Sequence, residues 1–495
     1  MAESRPTRPL RFFHQGQIRA VEALPTTTTV LQYLREHAQH CSGTKEGCAE
    51  GDCGACTVIV GEMQGDELTL SNVNACTQFL PTLDGRALIT VEDLGSSQDL
   101  NPVQQALVDC HGSQCGFCTP GFVMSLQACY EKCSQAPSRQ ELADALAGNL
   151  CRCTGYRPIL EAGQLMFELP ARRLDRAPIA AALRGLQEPL HYAAPNPAFG
   201  DRVDHFYAPR TLAELAALRE AMPQARLLAG STDVGLWVNK QHRDLGDLIY
   251  TGSVAELREI RSDAKTGLWI GAAATLEAAW GALVEMEPHL RELWLRFASP
   301  PVRHAGTLGG NIANGSPIGD GAPALIALGA EIVLRKGATQ RRMKLEDFYL
   351  DYMKNAMQPG EFVEGLQVPP PQAGWQLRAY KIAKRYDSDI SAVCAVLTLQ
   401  LDGGVVKAAR FAFGGMAAIV KRAAQAEAVV VGQPWTEATV WAAMQALAVD
   451  FKPLSDMRAS SAYRAKVAAN LLQRLWLETR AEAPLSSKEL SVWSV

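Results

Sequence analysis

The sequence predicts an α+β protein of several domains rather than one large fold. Its 495 residues exceed what a single hydrophobic core organises, and at about 100 to 200 residues per domain they suggest three or four domains. Hydrophobic residues make up 47% of the chain and charged residues 20%, so each domain can bury a core. Short β-branched runs, helical stretches and glycine-rich loops alternate along the chain, and both helices and strands are therefore expected.

Charge and hydropathy argue against two classes of partner. The net charge is −4 and the pI is about 6.2, so no basic surface for nucleic acid is expected. No run of 18 apolar residues occurs, and the closest stretch, 322–334, contains Glu331. The N-terminal residues, Met1 to Leu10, lack the apolar run of a signal peptide. We expect a cytoplasmic chain that binds neither nucleic acid nor a membrane.

Residues 1–92 predict a small β-rich domain, since β-branched runs such as 57–60 and 68–70 lie among glycine-rich loops.

The chain has 13 cysteines, and all but Cys394 precede Thr154. That asymmetry indicates a local chemistry of the cysteines rather than a disulfide framework along the whole chain.

Residues 93–169 predict a domain of four short helices. The pattern favours helices at 102–110 and 121–133. Ser138 and Glu141 form a capping box that begins a third helix.

The rest of the chain predicts a linker and two further domains. Residues 170–200 mix Arg, Pro and Ala with weak periodicity and are expected to be a linker. A capping box at Thr211 and Glu214, followed by a strand, predicts an α+β domain over 201–374. After three consecutive prolines, strands and two helices predict a separate C-terminal α+β domain over 375–495.

The first candidate metal ligands come mainly from one tight loop. Cys48, Cys53 and Cys56 are spaced x4 and x2, and Cys76 follows after nineteen residues. This is the ligand spacing of a plant-type [2Fe–2S] ferredoxin. A structural zinc site is the alternative, although zinc sites usually pair one Cys-x2-Cys with a second one.

A second candidate set lies in the helical domain. Cys115 and Cys118 are followed, 32 residues on, by Cys151 and Cys153. Cys118 directly precedes a predicted helix that begins at Thr119, and the positive end of that helix favours a negatively charged cluster. Spacing alone leaves zinc open as the alternative here.

Together the two sets resemble the iron–sulfur portion of the molybdenum hydroxylases, the xanthine dehydrogenase family. The matching stretches are Gly47-Cys48-Ala49-Glu50-Gly51-Asp52-Cys53-Gly54-Ala55-Cys56, Gln114-Cys115-Gly116-Phe117-Cys118-Thr119-Pro120-Gly121 and Cys151-Arg152-Cys153-Thr154-Gly155-Tyr156. The resemblance implies a β-grasp ferredoxin domain followed by a four-helix domain, each with one [2Fe–2S] cluster.

Five cysteines lie outside both sets: Cys41, Cys110, Cys129, Cys133 and Cys394. Cys129 and Cys133 are one helical turn apart and could be ligands or a redox pair. We favour small buried hydrophobic residues for both. The sequence assigns no role to the five.

Two loops are candidates for a diphosphate site. Residues 227–234 predict a strand that runs into a small-residue loop, and residues 307–312 contain a second glycine loop. Either could offer backbone N–H groups to a ligand, although a glycine turn without a ligand is the default for each alone. The chain has neither a Gly-x-Gly-x-x-Gly fingerprint nor a Walker loop.

In this order, after two cluster domains, the two loops are similar to the PCMH-type FAD-binding domain of the same family. The residues that the resemblance assigns to FAD are Leu227, Leu228, Ala229, Gly230, Ser231, Thr232, Asp233, Val234, Phe297, Thr307, Leu308, Gly309, Gly310, Asn311, Asp320, Val363 and Lys381. Phe297 is expected beside the isoalloxazine ring. The loop 384–389 is expected near the flavin, where it would modulate NAD access, although its charge pattern differs from that of the animal enzymes.

The resemblance covers nearly the whole chain and implies the electron-transfer subunit of a bacterial member of the family that oxidises hypoxanthine and xanthine to urate. The implied partner is a large molybdopterin-binding subunit, in a heterotetramer of two copies of each chain. Electrons would pass from molybdenum through the Cys115 set and then the Cys48 set to FAD and NAD+. No catalytic residue is assigned to this chain.

Two other functions stay open. The chain could serve a molybdenum hydroxylase of the same layout that acts on an aldehyde or an N-heterocycle, because the substrate pocket is expected on the partner. A zinc-binding assembly protein without a redox role is the alternative from a different class.

Overall fold

The computed structural model describes residues 6–200, 202–486 and 489–490. Met1 to Arg5 and Asp201, where the FAD domain is predicted to begin, lie outside the described residues. The chain divides into two compact units. The first comprises residues 1–256, 275–277 and 298–307, and the second comprises residues 257–274, 278–297 and 308–495.

The first unit begins with a mixed five-stranded sheet in the order β2-β1-β5-β3-β4. Its strands are β1 Leu10–His14, β2 Gln17–Val21, β3 Thr57–Gln64, β4 Glu67–Asn74 and β5 Ala87–Ile89. β1 and β5 run parallel, and the other pairs are antiparallel. Phe12, Val58 and Phe79 are fully buried beneath the sheet with the short helix Val30–Gln32. The predicted β-rich domain is confirmed.

The four predicted helices of the next segment are also confirmed. They are Pro102–Asp109, Thr119–Lys132, Arg139–Ala145 and Arg157–Leu165. Ser138 and Glu141 form the expected capping box, and Asn101 with Gln104 forms another. Phe122, Leu142 and Ile159 are among the buried side chains that hold the helices together.

The segment 170–200, expected as a linker, contains regular structure. Its helix Arg176–Arg184 buries Ile179 and Leu183 and packs against strands β1, β3 and β4 of the first sheet. The strand β6, Leu190–Asn196, then pairs with the next strand along the chain. The apolar residues at i and i+4 of this helix are too few to distinguish it from a loop by pattern alone.

A second sheet of the first unit follows, in the order β6-β7-β9-β8. Its other strands are β7 Arg202–Ala208, β8 Arg226–Leu228 and β9 Leu248–Tyr250. The helices of this part are Leu212–Ala221, Val234–Asn239 and Pro300–Ala305. Thr211 and Glu214 form the predicted capping box. The helix Pro300–Ala305 lies against β4, where the His304 ring contacts the carbonyl oxygen of Asn72 at 3.2 Å.

The second unit contains an antiparallel sheet in the order β10-β11-β16-β12-β13 and a hairpin of β14 and β15. These strands are β10 Ile260–Asp263, β11 Gly267–Gly271, β12 Glu331–Lys336, β13 Thr339–Lys344, β14 Tyr349–Asp351, β15 Lys354–Asn355 and β16 Phe362–Val368. The accompanying helices are Leu276–Met286, whose first two residues belong to the first unit, Arg291–Arg296, Leu308–Asn314 and Gly321–Ala327.

The C-terminal part of the second unit packs three helices against an antiparallel sheet, β17-β18-β19-β20. The strands are β17 Trp375–Ile382, β18 Val393–Asp402, β19 Val405–Gly414 and β20 Lys421–Arg422. The helices are Ala424–Val430, Glu437–Asp450 and Ser461–Thr479. Across the described ranges, none of the helices combines the length and the apolar character that crossing a membrane requires.

Candidate cofactor sites

The structure brings the first set of four cysteines together. Cys48, Cys53 and Cys56 lie on the loop before β3, and Cys76 lies two residues after β4. The backbone N–H groups of Glu50 and Cys53 donate to Cys48 Sγ at 3.5 and 3.4 Å. Hydrogen bonds from the thiols of Cys53 and Cys76 hold the pKa of Cys48 well below its usual value, so these sulfur atoms are neighbours. Clustered thiolates that accept backbone N–H groups fit a [2Fe–2S] cluster.

Two glycines shape the first cysteine loop. Gly51 and Gly54 have φ angles of +83° and +68°, which L side chains rarely adopt. A Cβ at Gly54 would lie 2.2 Å from the carbonyl oxygen of Gly148. The Asn74 side chain, at the end of β4, donates to the Gly51 carbonyl at 2.9 Å and holds the loop in place.

The second set lies at the ends of two helices. Cys118 directly precedes the helix Thr119–Lys132, as predicted. Side-chain hydrogen bonds pair Cys118 with Cys151 and Cys115 with Cys153. Cys151 Sγ accepts from the backbone of Cys153 at 3.4 Å and from the Thr154 hydroxyl at 3.2 Å. Burial raises the pKa of Cys151, but the bonds from Thr154 and Cys153 outweigh it and lower that pKa overall.

The remaining cysteines are buried to different extents. Cys41 and Cys394 are buried, whereas Cys110, Cys129 and Cys133 are half-buried. The role of small buried hydrophobic residues stays a prediction for Cys129 and Cys133, since both are partly buried and Cys129 packs against the hydrophobic core. Nowhere in the described part of the chain do three or more His, Cys, Asp or Glu side chains surround a position for a single metal ion.

The loops that carry the two cysteine sets touch each other. The backbone N–H of Leu150, next to Cys151, donates to the carbonyl oxygen of Cys53 at 3.0 Å. On the other side, a Cβ at Gly121 would lie 2.1 Å from the carbonyl oxygen of Gly54. The two candidate clusters would thus be held by adjoining backbone segments of the first unit.

The loop after β8 is the first candidate flavin segment. A Cβ at Gly230 would lie 2.0 Å from the carbonyl oxygen of Ala305, so glycine is required by packing within the chain itself. Ser231 has a φ of +65°, and its buried hydroxyl has no hydrogen-bond partner among the residues that the structure describes. Burial also raises the pKa of Asp233. An unpartnered buried hydroxyl on a strained loop fits a bound polar group such as a phosphate oxygen.

Thr307 lies beside that loop in the first unit. Gly306 precedes it, and a Cβ there would lie 3.3 Å from Thr232 Oγ1. Thr307 pairs as an isolated bridge with Thr275. The structure therefore brings the loop 227–234 close to Thr307. Both belong to the first unit, and both are predicted to bind FAD.

The predicted residues Leu308, Gly309, Gly310 and Asn311 begin the helix Leu308–Asn314 of the second unit. The backbone N–H groups of Leu308 and Gly309 donate to the carbonyls of Ala274 and Ala272, each at 3.0 Å. A Cβ at Gly309 would lie 2.5 Å from the Ala272 side chain. The sequence predicted a close approach of the glycine backbone to a ligand. At Gly309 the close neighbour is Ala272 of the protein.

Asp320 and Lys381 form a buried ion pair in the second unit. Lys381 Nζ lies 2.6 Å from Asp320 Oδ2, and both side chains are at most 3% exposed. The Ser391 hydroxyl accepts from Lys381 Nζ at 2.8 Å and donates to Asp320 Oδ1 at 2.6 Å. Burial, with the Asp320 carboxylate close by, raises the pKa of the Cys394 thiol well above its usual value. The sequence analysis did not predict the contact between Asp320 and Lys381, or the contact of either residue with Ser391.

Phe297 and Val363 lie elsewhere in the second unit. The Phe297 ring packs on the Trp280 ring with their centroids 5.8 Å apart. Val363 is buried on β16, opposite Leu334 of β12.

Arg296, which the sequence did not single out, connects two predicted segments. Its guanidinium donates to the carbonyl of Lys381 at 2.9 Å and to that of Tyr386 at 3.0 Å. It also lies over the Tyr386 ring, 4.6 Å from the centroid. The loop 384–389 is thereby attached to the residue that precedes Phe297. No motif marks Arg296, because its contacts are distant in sequence.

Two amide side chains of the first unit also escaped the sequence analysis. Gln78 Nε2 donates to the carbonyl of Gly230 at 2.9 Å. Asn239 Nδ2 donates to the carbonyl of Cys76 at 2.7 Å and to that of Ala49 at 3.1 Å. These bonds join the first cysteine set to the candidate flavin loop and to the helix that follows it.

Family models match four successive segments of the chain. Residues 12–80 match a 2Fe-2S iron-sulfur cluster binding domain, 90–164 a [2Fe-2S] binding domain, 198–371 the FAD binding domain in molybdopterin dehydrogenase, and 378–479 the CO dehydrogenase flavoprotein C-terminal domain. The chain thus has two [2Fe–2S] domains and an FAD-binding domain.

Known proteins agree with these matches. The xanthine dehydrogenase of Drosophila subobscura is 34% identical over 493 residues, which are 87% of this chain and 36% of that protein. The chain therefore spans just over a third of the length of such relatives. Among solved structures, a carbon monoxide dehydrogenase from Hydrogenophaga pseudoflava is 28% identical with a TM-score of 0.52, over 54% of this chain and 94% of that one. Quinoline 2-oxidoreductase from Pseudomonas putida 86 is 26% identical with a TM-score of 0.51, over 56% and 97%.

The fold, the two cysteine sets on adjoining loops and the sequence comparisons all indicate the same family. The chain belongs to the molybdenum hydroxylase family, of which it carries the iron–sulfur and FAD portion.

Proposed function

We propose that this chain is the electron-transfer subunit of a bacterial xanthine dehydrogenase. In this proposal it connects a molybdenum centre on a large partner subunit with NAD+, and two copies of each chain form a heterotetramer. The observation that carries the proposal is a continuous series of contacts in the first unit. The Cys151 loop contacts Cys53 through Leu150, and the turn after Cys76 contacts Gly230 through Gln78.

The protein's own part in this function is to bind the redox groups and to hold them in position. When bound, the two [2Fe–2S] clusters supply one-electron chemistry and the flavin links it to the two-electron chemistry of NAD+. We propose that Cys48, Cys53, Cys56 and Cys76 ligate one cluster and Cys115, Cys118, Cys151 and Cys153 the other. Backbone N–H groups that point at the thiolates stabilise their negative charge.

Exposure supports entry of electrons at the second cysteine set. Cys115 and Cys153 are exposed, whereas Cys56 and Cys76 of the first set are buried. Phe117 and Leu150, next to the second set, are 46% and 50% exposed. An apolar rim around exposed ligands suits a partner subunit that covers it.

We propose FAD at the segments 227–234 and 307–311, with Phe297, Asp320, Val363 and Lys381. The unpartnered Ser231 hydroxyl and the left-handed backbone at that residue support this assignment in the first unit. NAD+ is proposed as the electron acceptor at the flavin.

The named relatives favour a purine substrate, since curated proteins with matches over most of this chain are xanthine dehydrogenases. A second candidate is a molybdenum hydroxylase for another N-heterocycle. The likeness to a quinoline 2-oxidoreductase favours this second candidate.

The proposal is tested by measuring NADH oxidation and xanthine oxidation separately, in the isolated chain and in the assembled enzyme. The isolated chain is expected to oxidise NADH with an artificial dye acceptor and to show no xanthine oxidation. In the assembled enzyme, Cys115→Ser is expected to abolish transfer from xanthine to NAD+ while sparing transfer from NADH to the dye. Cys110→Ser is the matched control, because Cys110 is half-buried outside both sets. Xanthine turnover by this chain alone would overturn the scheme, and hydroxylation of quinoline instead of xanthine would favour the second candidate.

A further inference from the structure

A buried asparagine lies between the two cysteine loops. Asn149 is 3% exposed and lies two residues before Cys151. Its Nδ2 donates to the carbonyl of Gly54 at 3.1 Å and to the Thr57 hydroxyl at 3.3 Å. Its Oδ1 accepts from the Ser125 hydroxyl at 2.6 Å. Both N–H groups of this amide therefore reach the first cysteine domain, while its oxygen is held by the helical domain.

The hydrogen bonds extend beyond Asn149. Ser125 lies on the helix that begins after Cys118, and its hydroxyl accepts from Asn72 Nδ2 at 3.2 Å. Asn72 lies on β4, two residues before the end of that strand, which leads into the turn that carries Cys76. The side chains of this network are neutral amides and hydroxyls, so their protonation does not change when a neighbouring group gains an electron.

Asn149 lies beside a direct hydrogen bond between the two ligand loops. The next residue, Leu150, donates its backbone N–H to the carbonyl of Cys53 at 3.0 Å. The approach at Gly54 is so close that a Cβ there would lie 2.5 Å from Asn149 Nδ2. Electron tunnelling weakens steeply with distance and crosses a hydrogen bond more readily than a gap. A shift of the loops that broke this bond would therefore slow transfer.

We infer that Asn149 is a positioning residue that fixes the Cys151 loop on the Cys53 loop, so that the hydrogen bond from Leu150 to Cys53 connects the two clusters. The inference rests on the proposed function, since it requires both clusters in this chain. Asn149 belongs to neither set of cysteine ligands and acts through the backbone that it holds.

Three variants of the full chain test the role. Asn149→Ala removes all the side-chain bonds, and Asn149→Asp keeps the shape but turns a carboxylate oxygen toward the Gly54 carbonyl. Ser125→Ala removes the bond that orients the Asn149 oxygen and the bond from Asn72, but it leaves the bonds from Asn149 to the first cysteine domain in place. The matched control is Asn101→Ala, because Asn101 is an equally buried asparagine of the helical domain whose partners are its own helix cap and Gln127 rather than a cysteine loop.

Electron paramagnetic resonance of the dithionite-reduced chain measures the magnetic splitting between the two clusters. We expect both Asn149 variants to keep two [2Fe–2S] signals and to lose splitting, with a smaller loss in Ser125→Ala and none in Asn101→Ala. Rapid freezing after NADH addition should show the second cluster being reduced more slowly in the Asn149 variants than in the wild-type chain, because a displaced loop lengthens the path between the clusters.

The outcomes separate this inference from the proposed function. Wild-type protein without two [2Fe–2S] signals would overturn the proposed function. Wild-type splitting and reduction rate in an Asn149 variant that carries both clusters would overturn only the role of Asn149. If the Asn149 variants lose a cluster altogether, Ser125→Ala decides, and an unchanged splitting in that variant would refute the inference.

Discussion

Gln78 and Gly230 lie 152 residues apart in sequence, and the side-chain amide of the first donates to the carbonyl of the second at 2.9 Å. Gln78 follows Cys76 by two residues, and Gly230 belongs to the loop proposed to hold FAD. Within one compact unit, this bond therefore links the turn that carries Cys76, a proposed cluster ligand, to the proposed flavin loop.

Gln78→Leu tests that link. Loss of a buried hydrogen bond costs about 1 to 3 kcal/mol, and part of this cost is expected to appear as weaker FAD binding, by about tenfold for each 1.4 kcal/mol. Titration of FAD-free protein with FAD measures the change, and the iron content should stay constant. The control is Gln140→Leu, whose exposed amide contacts only Asp144. An unchanged FAD affinity in Gln78→Leu would show that the link is structurally neutral.

The cluster assignment predicts metal content. Purified protein should contain about four irons and four acid-labile sulfides per chain, because each thiolate set suits one two-iron cluster. Cys53→Ser and Cys118→Ser should each remove one of the two paramagnetic signals and about half of the iron. Zinc in place of iron, or two intact signals in Cys118→Ser, would contradict the assignment.

Gly230 is expected to tolerate no side chain. A valine there would press against the carbonyl of Ala305, and overpacking of this kind costs about 1 to 3 kcal/mol. Gly230→Val should lower the thermal midpoint and reduce the FAD content measured after gel filtration. Gly185→Ala is the control in the same unit, since a Cβ there has no neighbour closer than 3.6 Å and the φ is −80°. Equal thermal midpoints for the two variants would refute the packing argument.

Gly310 carries a separate prediction for the second unit. It lies in the first turn of the helix Leu308–Asn314 and is assigned to FAD by resemblance. Gly310→Val is expected to lose FAD while both cluster signals remain. Stoichiometric FAD in this variant would count against the assignment of 307–311.

The ligand cysteines and the helices next to them could be predicted because their information is local. Spacing within one loop, as for Cys48, Cys53 and Cys56, and a capping box such as Ser138 with Glu141 need only neighbouring residues. Glycine loops also predicted where backbones approach closely. At Gly230, however, the nearest neighbour is Ala305 of the chain itself, which no local pattern reveals.

The missed features depend on contacts between distant residues. The residues of β6 were expected to belong to a linker. Their extended shape depends on pairing with β7, which the local sequence of β6 does not reveal. Asn149 and Gln78 look like ordinary polar residues in the sequence. Their roles depend on carbonyl groups 95 and 152 residues away. Ser391 likewise acquires its partners only when β17 and the helix after Asp320 come together.

Lys381→Met is expected to destabilise the second unit strongly. It leaves the Asp320 carboxylate buried without its counter-charge, and breaking a buried ion pair in this way costs about 3 to 5 kcal/mol. Thermal unfolding followed by fluorescence measures the loss. Adding Asp320→Asn should recover part of it, because the uncompensated charge is then removed. Ser391→Ala should cost less, about 1.5 to 3 kcal/mol, because it removes a neutral hydroxyl that is hydrogen-bonded to both charged groups.

The matched control for Lys381 is Lys407→Met, whose ammonium lies 3.4 Å from Asp402 with both side chains more than half exposed. Such surface pairs contribute about 0 to 1 kcal/mol, so little change is expected. FAD content separates the two roles of the buried pair. If Lys381→Met is destabilised but keeps stoichiometric FAD, the pair stabilises the fold and the assignment of Lys381 to FAD is wrong. If the Asp320→Asn, Lys381→Met double variant regains stability without regaining FAD, the pair also serves the flavin, because restored folding alone would then not restore binding.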